Sequence, residues 1–461
     1  MPVVRSVSPQ RPKDIVVSID AATNDGVALA AQAARSAQAD WAAAPPANRA
    51  NALHAAAEAV AGAAAELADL AVREVGKPIA EARGEVARTV AILRYYAQQV
   101  FDPTGAVHEP GAGVGIAYTR RRPRGIAGLV TPWNFPFAIP LWKAAPALAF
   151  GNAVLLKPAP QATACALRLA ELIGPQLPRG LFTVLPGDAE TGQAVVAAAD
   201  VVSFTGSTTA GAAVAAAATA RGVPVQCEMG GQNPAIVLPD ADVAVVARQV
   251  AYAAFGYAGQ KCTATKRVIV VGDPTALTDA LVAEVEKLPC GDPAEPDTVV
   301  GPVIDDAARA RVLDAAVSAV SAGGHIRDGG QVSPGHGWYA MPAVVTGLPE
   351  GHLLHHEEVF GPICTVSQAD TVGAALDAAN AVRYGLAASV FTADLDAALS
   401  LVDGLAAGQI KINAPSTGVD FHLPFGGERA SSLGPREQGK AAQDFYTTLR
   451  TVTVAPSRPT G

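Results

Sequence analysis

The chemistry of this chain is concentrated in a few short stretches. In Phe255-Gly-Tyr-Ala-Gly-Gln-Lys-Cys-Thr-Ala-Thr-Lys-Arg267, Cys262 follows a Gly and a Gln and adjoins Lys261. Buried and inert is the ordinary condition of a cysteine. This setting instead predicts an exposed loop of positive potential, which would favour the nucleophilic thiolate. Glu228 closes an apolar run and is followed by Met-Gly-Gly, so its carboxylate borders backbone that must approach something closely or take unusual dihedrals. A thiolate with a carboxylate base can run covalent catalysis with a hydrolytic second step. Val202-Ser-Phe-Thr-Gly-Ser207 reads as a strand entering a glycine turn and then a helix, whose amides and positive end suit a pyrophosphate. The spacing from Gly206 to Gly211 is not GxGxxG, and alone it fits an ordinary strand-to-helix turn equally well. Lys157, after Ala153–Leu156, would alone be read as a surface lysine.

These residues need elements to place them. Short apolar runs at Ala153–Lys157, Leu181–Leu185, Val201–Phe204 and Val223–Cys227 alternate with helical stretches at Ala162–Ile173, Gly192–Ala199 and Thr208–Ala218. Continuous apolar strands between helices predict a parallel sheet covered on both faces, an α/β fold. Ligands bind such sheets beyond the carboxyl ends of the strands, which sets Lys157, Gly187, Thr205, Gly206, Ser207 and Glu228 along one crevice. Ala235–Leu238 and Arg267–Val271 open a second α/β block, continued by Ser389–Thr392 and Gln409–Ile412. Upstream, Gly26 to Ala97 is Ala-rich with helical spacing. Beyond Pro103, a Gly-rich stretch leads to Arg120-Arg121-Arg122, read as an exposed hairpin with a solvated basic face.

Composition bounds the function. A chain of 461 residues, 50% hydrophobic, suffices for two or three domains with large cores. With 16% charged residues and a formal net charge of −8, neither an extended nucleic-acid surface nor recruitment to anionic lipid is expected. No charged and then apolar leader opens the sequence. Two uncharged stretches, Gly125–Trp142 and Val201–Ala220, approach one membrane thickness. Pro132, Pro136 and Pro140 break the first, which is read as a buried loop, and Gly206 with its Ser and Thr neighbours interrupts the second. Five cysteines, scattered and without a CxxC pair, point away from disulfides and zinc and towards a reducing cytoplasm. Cys227 should face away from Glu228 across its strand, and Cys165, Cys290 and Cys364 read as structural. Were His355-His356 extended, alternation would part the two rings, so no metal site is read there.

Eight motifs, in order, carry a resemblance over nearly the whole chain: Pro132-Trp-Asn-Phe-Pro136, Lys157-Pro158, Phe204-Thr-Gly-Ser207, Glu228-Met-Gly-Gly231, Gly259-Gln-Lys-Cys262, Glu358-Val-Phe-Gly-Pro362, Asn380 with Tyr384-Gly-Leu386, and Pro424-Phe-Gly-Gly427. Together they resemble the aldehyde dehydrogenase superfamily. The resemblance implies a Rossmann-like dinucleotide-binding domain over 1–104 and 124–230 and an α/β catalytic domain over 231–430. A small β oligomerisation element would come from 105–123 and 431–461. It implies that Cys262 attacks an aldehyde, and that the Asn134 amide and the Cys262 backbone N–H stabilise the oxyanion at about 3 kcal/mol per donor. Glu228 would activate water to hydrolyse the thioester. Lys157 and Glu358 match contacts to the two cofactor riboses, Ser207 a phosphate contact and Phe360 the nicotinamide side. Trp133, Pro160, Gly187, Thr205, Gly206 and Gly230 would line the same cofactor.

Where many NAD⁺-preferring members carry a glutamate three residues after the lysine, this chain has Pro160. That removes a repulsion against a 2′-phosphate without creating a phosphate site, and inclines the reading to NADP⁺ over NAD⁺. Gly418–Gly427, Gly434-Pro-Arg-Glu-Gln-Gly439 and Phe445-Tyr-Thr-Thr448 are similar to bacterial α-ketoglutarate semialdehyde (2,5-dioxopentanoate) dehydrogenases. A small ω-carboxylated aldehyde is the implied substrate; succinate semialdehyde, or a broad range of aliphatic and aromatic aldehydes, is the alternative. A carboxylate tail needs a cation or donor, for which Lys261, His422 and Arg436 are candidates; Phe135, Trp142, Lys261, Thr263 and Phe421 would line the funnel. The hairpin near 105–123 and a strand at Tyr446–Val454 resemble the family's oligomerisation element, so a homodimer or homotetramer is expected. CoA-acylating chemistry would not need Glu228, and a non-catalytic binding protein would not need Cys262, Glu228 and Asn134 together.

Overall fold

The computed structural model describes residues 2–111, 113, 115–328 and 336–455. Its first large sheet has six strands, in the order Ser432–Leu433, Val225–Glu228, Val201–Thr205, Ile126–Thr131, Ala153–Pro158 and Phe182–Val184. All pair in parallel except Ser432–Leu433, which runs antiparallel to Cys227 and Glu228. Val201–Thr205 is buried at every position, as a strand covered on both faces must be. From Ile126–Thr131 the chain steps outward to Ala153–Pro158 and Phe182–Val184, then returns to lay Val201–Thr205 on the other side of its starting strand. That reversal opens a crevice at the carboxyl ends of the two central strands.

The helices of this layer begin on designed ends. Asp188 accepts the N–H of Glu190 at the start of Ala189–Ala198, and Ser207 that of Ala210 at the start of Thr208–Ala220. Two others are capped from a distance, by the helices Ala64–Val75 and Ile79–Gln99. Glu85 accepts the N–H groups of Phe137 and Ala138, both at 2.9 Å, where Ala138–Ala149 begins. Glu74 accepts those of Ala164 and Cys165, both at 2.7 Å, at the start of Thr163–Ile173. A carboxylate at a positive helix end supplies both charge and acceptors.

The structure corrects the reading of Gly125–Trp142 as a buried loop. It contains the strand Ile126–Thr131 and enters the helix Ala138–Ala149, which is buried at every residue. Pro132 and Pro136 fall in the connection, and Pro140 sits in the first helical turn, where a backbone N–H has no partner to lose. The strand and the helix of Val201–Ala220 lie where the sequence put them, and among the described residues no helix is long and apolar enough to cross a membrane.

The second large sheet has seven strands, in the order His325–Asp328, Ala343–Thr346, Ile363–Ala369, Thr265–Val271, Asn233–Val237, Ala387–Phe391 and Gln409–Ile412. A three-stranded antiparallel sheet stands apart, Thr447–Val454 against Ile116–Pro123 against Val107–His108. The segment 431–461 therefore divides: Ser432–Leu433 joins the six-stranded sheet, and Thr447–Val454 joins the small one. The antiparallel pair Val3–Ser8 and Arg11–Asp20 was not anticipated, because Arg11–Asp20 buries no residue and its apolar run is only Ile15-Val16-Val17.

Candidate active site

Cys262 follows a tight turn in which Tyr257, Ala258 and Gly259 all hold positive φ, of 58°, 53° and 65°. Those conformations are costly for Tyr and Ala, and the surroundings enforce them. The Gln260 side chain accepts the Ile304 N–H at 2.9 Å and donates to the carbonyls of Tyr257 and Pro302, both at 3.2 Å. Asn233 donates to the Cys262 and Ala264 carbonyls, each at 2.8 Å. Asn134, from the connection after Ile126–Thr131, donates to the Gln260 carbonyl at 3.0 Å. An amide carries two N–H bonds, so Asn134 brings a buried, pre-oriented donor to the cysteine turn.

Two expectations about this turn are corrected. Cys262 is half-buried rather than on an exposed loop. Burial, and then the carboxylates of Glu358 and Glu228, push its thiol up to about 12. Lys261 does not lend its charge to the sulfur or to a substrate: its ammonium is buried against Glu81 at 2.5 Å and lies over the Tyr252 ring.

Glu228 is the last residue of Val225–Glu228 and is 2% exposed. Burial and the neighbouring Glu437 push its pKa up, while Ser432, Lys143 and Arg436 draw it down. Glu437 is itself ion-paired with Lys143, and both are buried. It also accepts from Trp142 Nε1 at 2.8 Å and from Ser203 at 3.1 Å, while Lys143 and Gln226 donate to Ser203 at 2.8 and 3.0 Å. Trp142 thus belongs to a polar wall behind Glu228, its ring against Phe425, rather than to an open funnel. Arg436 is bonded to the Gly427 carbonyl and faces Glu228, which withdraws it as a carboxylate anchor. Cys227 turns the other way, against Phe204 and Met229.

The crevice residues assemble as a nucleotide site requires. Thr131 and Thr205 end the two central strands, and both hydroxyls are buried without a partner. Lys157 is buried, and burial pulls its ammonium down to about 8 against the opposing effect of Asp188. Gly206 opens the turn into Thr208–Ala220, where a side chain would collide with Phe204; Ser207 is exposed at the helix start. Gly187 is buried beside Thr191, and Pro160 begins a short 3₁₀ turn. Across the crevice Glu358 lies over Gly230, where a Cβ would clash with its carboxylate, and accepts the Gly231 N–H at 3.1 Å. Burial raises Glu358 to about 7, with Gly231 and Lys266 opposing. Phe360, at φ 54°, meets Trp133 edge to face with centroids 5.7 Å apart. Unpartnered hydroxyls, an unpaired ammonium and the positive end of the helix Thr208–Ala220 fit a dinucleotide.

Comparison with known proteins decides the family. The aldehyde dehydrogenase family matches residues 2–452. The chain belongs to the aldehyde dehydrogenase family. It is 38% identical to an alpha-ketoglutaric semialdehyde dehydrogenase of Bacillus subtilis, over 98% of this chain and 95% of that one. The crystal structure of an NAD-dependent aldehyde dehydrogenase from Sinorhizobium meliloti superposes with a TM-score of 0.96 at 32% identity, covering 100% of this chain and 93% of the other. That of PnpE in complex with nicotinamide adenine dinucleotide gives 0.95 at 33%, covering 99% and 95%. The protein is an NAD(P)⁺-dependent aldehyde dehydrogenase with a Rossmann-like sheet, and it oxidises aldehydes.

Within this aldehyde dehydrogenase the remaining funnel residues separate. Phe135 lies under the Lys77 ammonium, 3.8 Å from its centroid, and Phe421 packs on Tyr95 at 5.6 Å. Thr263 is buried, its carbonyl taken by Ser416 at 2.7 Å. His422 is exposed beside Phe421. Two residues escaped the sequence reading. Gln438 is buried at φ 61° with neither amide atom partnered, one residue before Gly439, whose N–H donates to the Phe421 carbonyl. Arg88 is half-buried on Ile79–Gln99, at helical spacing from Glu81, Glu85 and Tyr95. That spacing was the signal available for Arg88; Gln438 lies inside Gly434–Gly439, which the sequence reading singled out only for its resemblance. His355 and His356 lie in a helical turn, Leu353–His356, not an extended segment.

Proposed function

We propose that Cys262, Asn134 and Glu228 perform the oxidation, and that the substrate is a small ω-carboxylated aldehyde of the α-ketoglutarate semialdehyde type. The observation that carries the catalytic reading is the Asn134 amide bonded to the cysteine turn at Gln260. The Cys262 sulfur adds to the aldehyde carbon, and the thiol proton leaves to a base. Asn134 and the Cys262 N–H hold the resulting oxyanion. Bound NAD(P)⁺ supplies the acceptor for the hydride of the thiohemiacetal carbon. Glu228 then takes a proton from water, whose oxygen bonds to the thioester carbon; the C–S bond breaks, releasing the acid and restoring the thiol. Lys157, Thr131, Thr205 and Ser207 would hold the cofactor on one side of the crevice, and Glu358 on the other.

The substrate reading is supported by the Bacillus relative and by Gln438, whose buried amide has no partner and which adjoins Gly439, bonded to the Phe421 carbonyl. Pro160 presents no carboxylate to a 2′-phosphate, which supports acceptance of NADP⁺ ahead of NAD⁺. Initial rates for α-ketoglutarate semialdehyde, succinate semialdehyde and an uncharged aldehyde of equal length, each with NAD⁺ and NADP⁺, test both points. The carboxylated aldehydes should lead in kcat/KM by about tenfold or more; equal values would reject the substrate class. Faster turnover of NAD⁺ would reject the cofactor preference.

A homodimer or homotetramer is supported by two unpaired sheet edges. Thr447–Val454 exposes Leu449 and Val454, and Gln409–Ile412 exposes Ile412. The free thiols of Cys165, Cys227, Cys262 and Cys364 support a cytoplasmic, reducing location. Light scattering of the purified protein should give twice or four times the chain mass.

A further inference from the structure

The two adjacent serines of Ala430-Ser-Ser-Leu433 have different partners. Ser431 is buried and structural: its hydroxyl donates to the Gly230 carbonyl at 2.7 Å and accepts the Gly385 N–H at 3.0 Å. Ser432 is half-buried and turns to the base. Its Oγ accepts the Gly427 N–H at 2.6 Å and donates to Glu228 Oε2 at 2.5 Å. A backbone donor on the lone pairs of Oγ leaves the hydroxyl proton aimed at the carboxylate, so the hydrogen bond is directional rather than incidental. Ser432 is able to reach because Ser432–Leu433 forms the antiparallel edge beside Cys227 and Glu228.

Geometry then distinguishes the two carboxylate oxygens. Oε2 is held by Ser432, and among the described residues that is the only hydrogen bond to the Glu228 side chain. Oε1 borders Gly426, where a Cβ would stand 2.6 Å away. Gly426 has φ 153°, and a side chain there would press on both that oxygen and Arg436, which the glycine leaves unobstructed. We propose that Ser432 is a positioning residue for hydrolysis: it pins one oxygen of Glu228 and leaves the other free to take the proton of the attacking water. This rests on the assignment of Glu228 as the base.

The hydroxyl also favours the charged carboxylate at a place where burial and Glu437 oppose it. Without it the base should need a higher pH to ionise and should no longer hold a single orientation. Hydride transfer precedes this step, so the loss falls on thioester hydrolysis.

The test is the pH profile of kcat with pre-steady-state bursts, for Ser432→Ala, Ser432→Thr and Ser431→Ala beside Glu228→Gln. Ser432→Ala should move the acid limb of kcat up by about one pH unit. Below the limb that is roughly a tenfold loss, recovered at high pH. The burst of reduced cofactor should persist while the steady rate falls. Ser432→Thr keeps the hydroxyl and should return the limb to its original position. Ser431→Ala should lower the denaturation midpoint without moving the limb. An unmoved limb in Ser432→Ala, with Glu228→Gln showing a burst and no steady rate, overturns the role of Ser432 alone. Wild-type turnover by Glu228→Gln overturns the base assignment, and the positioning role with it. Should Ser432→Ala fold poorly, Ser432→Gly deletes the same hydroxyl and is read on the same limb.

Discussion

Two hydroxyls on one strand, two residues apart and therefore on one face, live in opposite conditions. Ser203, in the middle of Val201–Thr205, is bonded to Lys143, Gln226 and Glu437, while Thr205, at its carboxyl end, has no partner at all. Both are buried. The same division separates Lys143, ion-paired, from Lys157, unpaired. A buried polar group left unmatched costs about 1–3 kcal/mol, so a fold keeps one only where something else completes it. Ser203 and Lys143 are partnered in the wall of this enzyme, whereas Thr131, Thr205 and Lys157 stand unpartnered along the crevice.

Substitutions can break or sharpen that contrast. The largest effect belongs to the chemistry that both regions serve: Cys262→Ala should cut turnover by about 10⁴-fold or more while leaving cofactor binding intact by fluorescence titration. In the wall, Lys143→Met strands a buried carboxylate. It should lower stability by about 3–5 kcal/mol in urea unfolding, and combining it with Glu437→Leu should recover much of the loss. In the crevice, Lys157→Met should do the reverse. Cofactor should bind about tenfold more weakly, near 1.4 kcal/mol, with the urea midpoint held or raised. A fall in stability comparable to that of Lys143→Met would erase the distinction.

A smaller effect follows from pH. With its pKa drawn down to about 8, Lys157 is charged below that value and neutral above it. The KM for NADP⁺ should therefore rise a few-fold from pH 7 to 9 and stay flat in Lys157→Met. The least effect should come from an exposed ion pair. Glu66→Gln, which removes one of the two carboxylate partners of Arg168, should leave the unfolding midpoint where it is.

Most of the parallel sheet was legible because continuous apolar runs have few alternatives. Val201–Phe204 proved to be Val201–Thr205, and Gln409–Ile412 coincided. Strand ends then located Lys157, Thr205 and Glu228 by order alone. What escaped depends on partners far along the chain. Lys261 looked like an activating charge beside Cys262, but Glu81, 180 residues earlier, neutralises it. Arg436 looked free for substrate, and Trp142 for the funnel, until Glu228 and Glu437 met them. The helix Ala138–Ala149 was hidden by its prolines, and its cap is Glu85, 52 residues upstream of Phe137. Local pattern reports which face of an element is apolar; it is silent about which charge ends up opposite.

The wall also imposes an order on synthesis. Glu437 lies 294 residues beyond Lys143. While the ribosome is still making the second half of the protein, Lys143 has already emerged with the helix that will bury it, and its counter-charge does not yet exist. The first sheet cannot close dry until the last few dozen residues arrive. A chain cut short before Glu437 would carry an unmatched ammonium in its core and remain open to chaperones and proteases. Completion of the polypeptide and closure of its first sheet become a single event, and an unfinished copy keeps an open core.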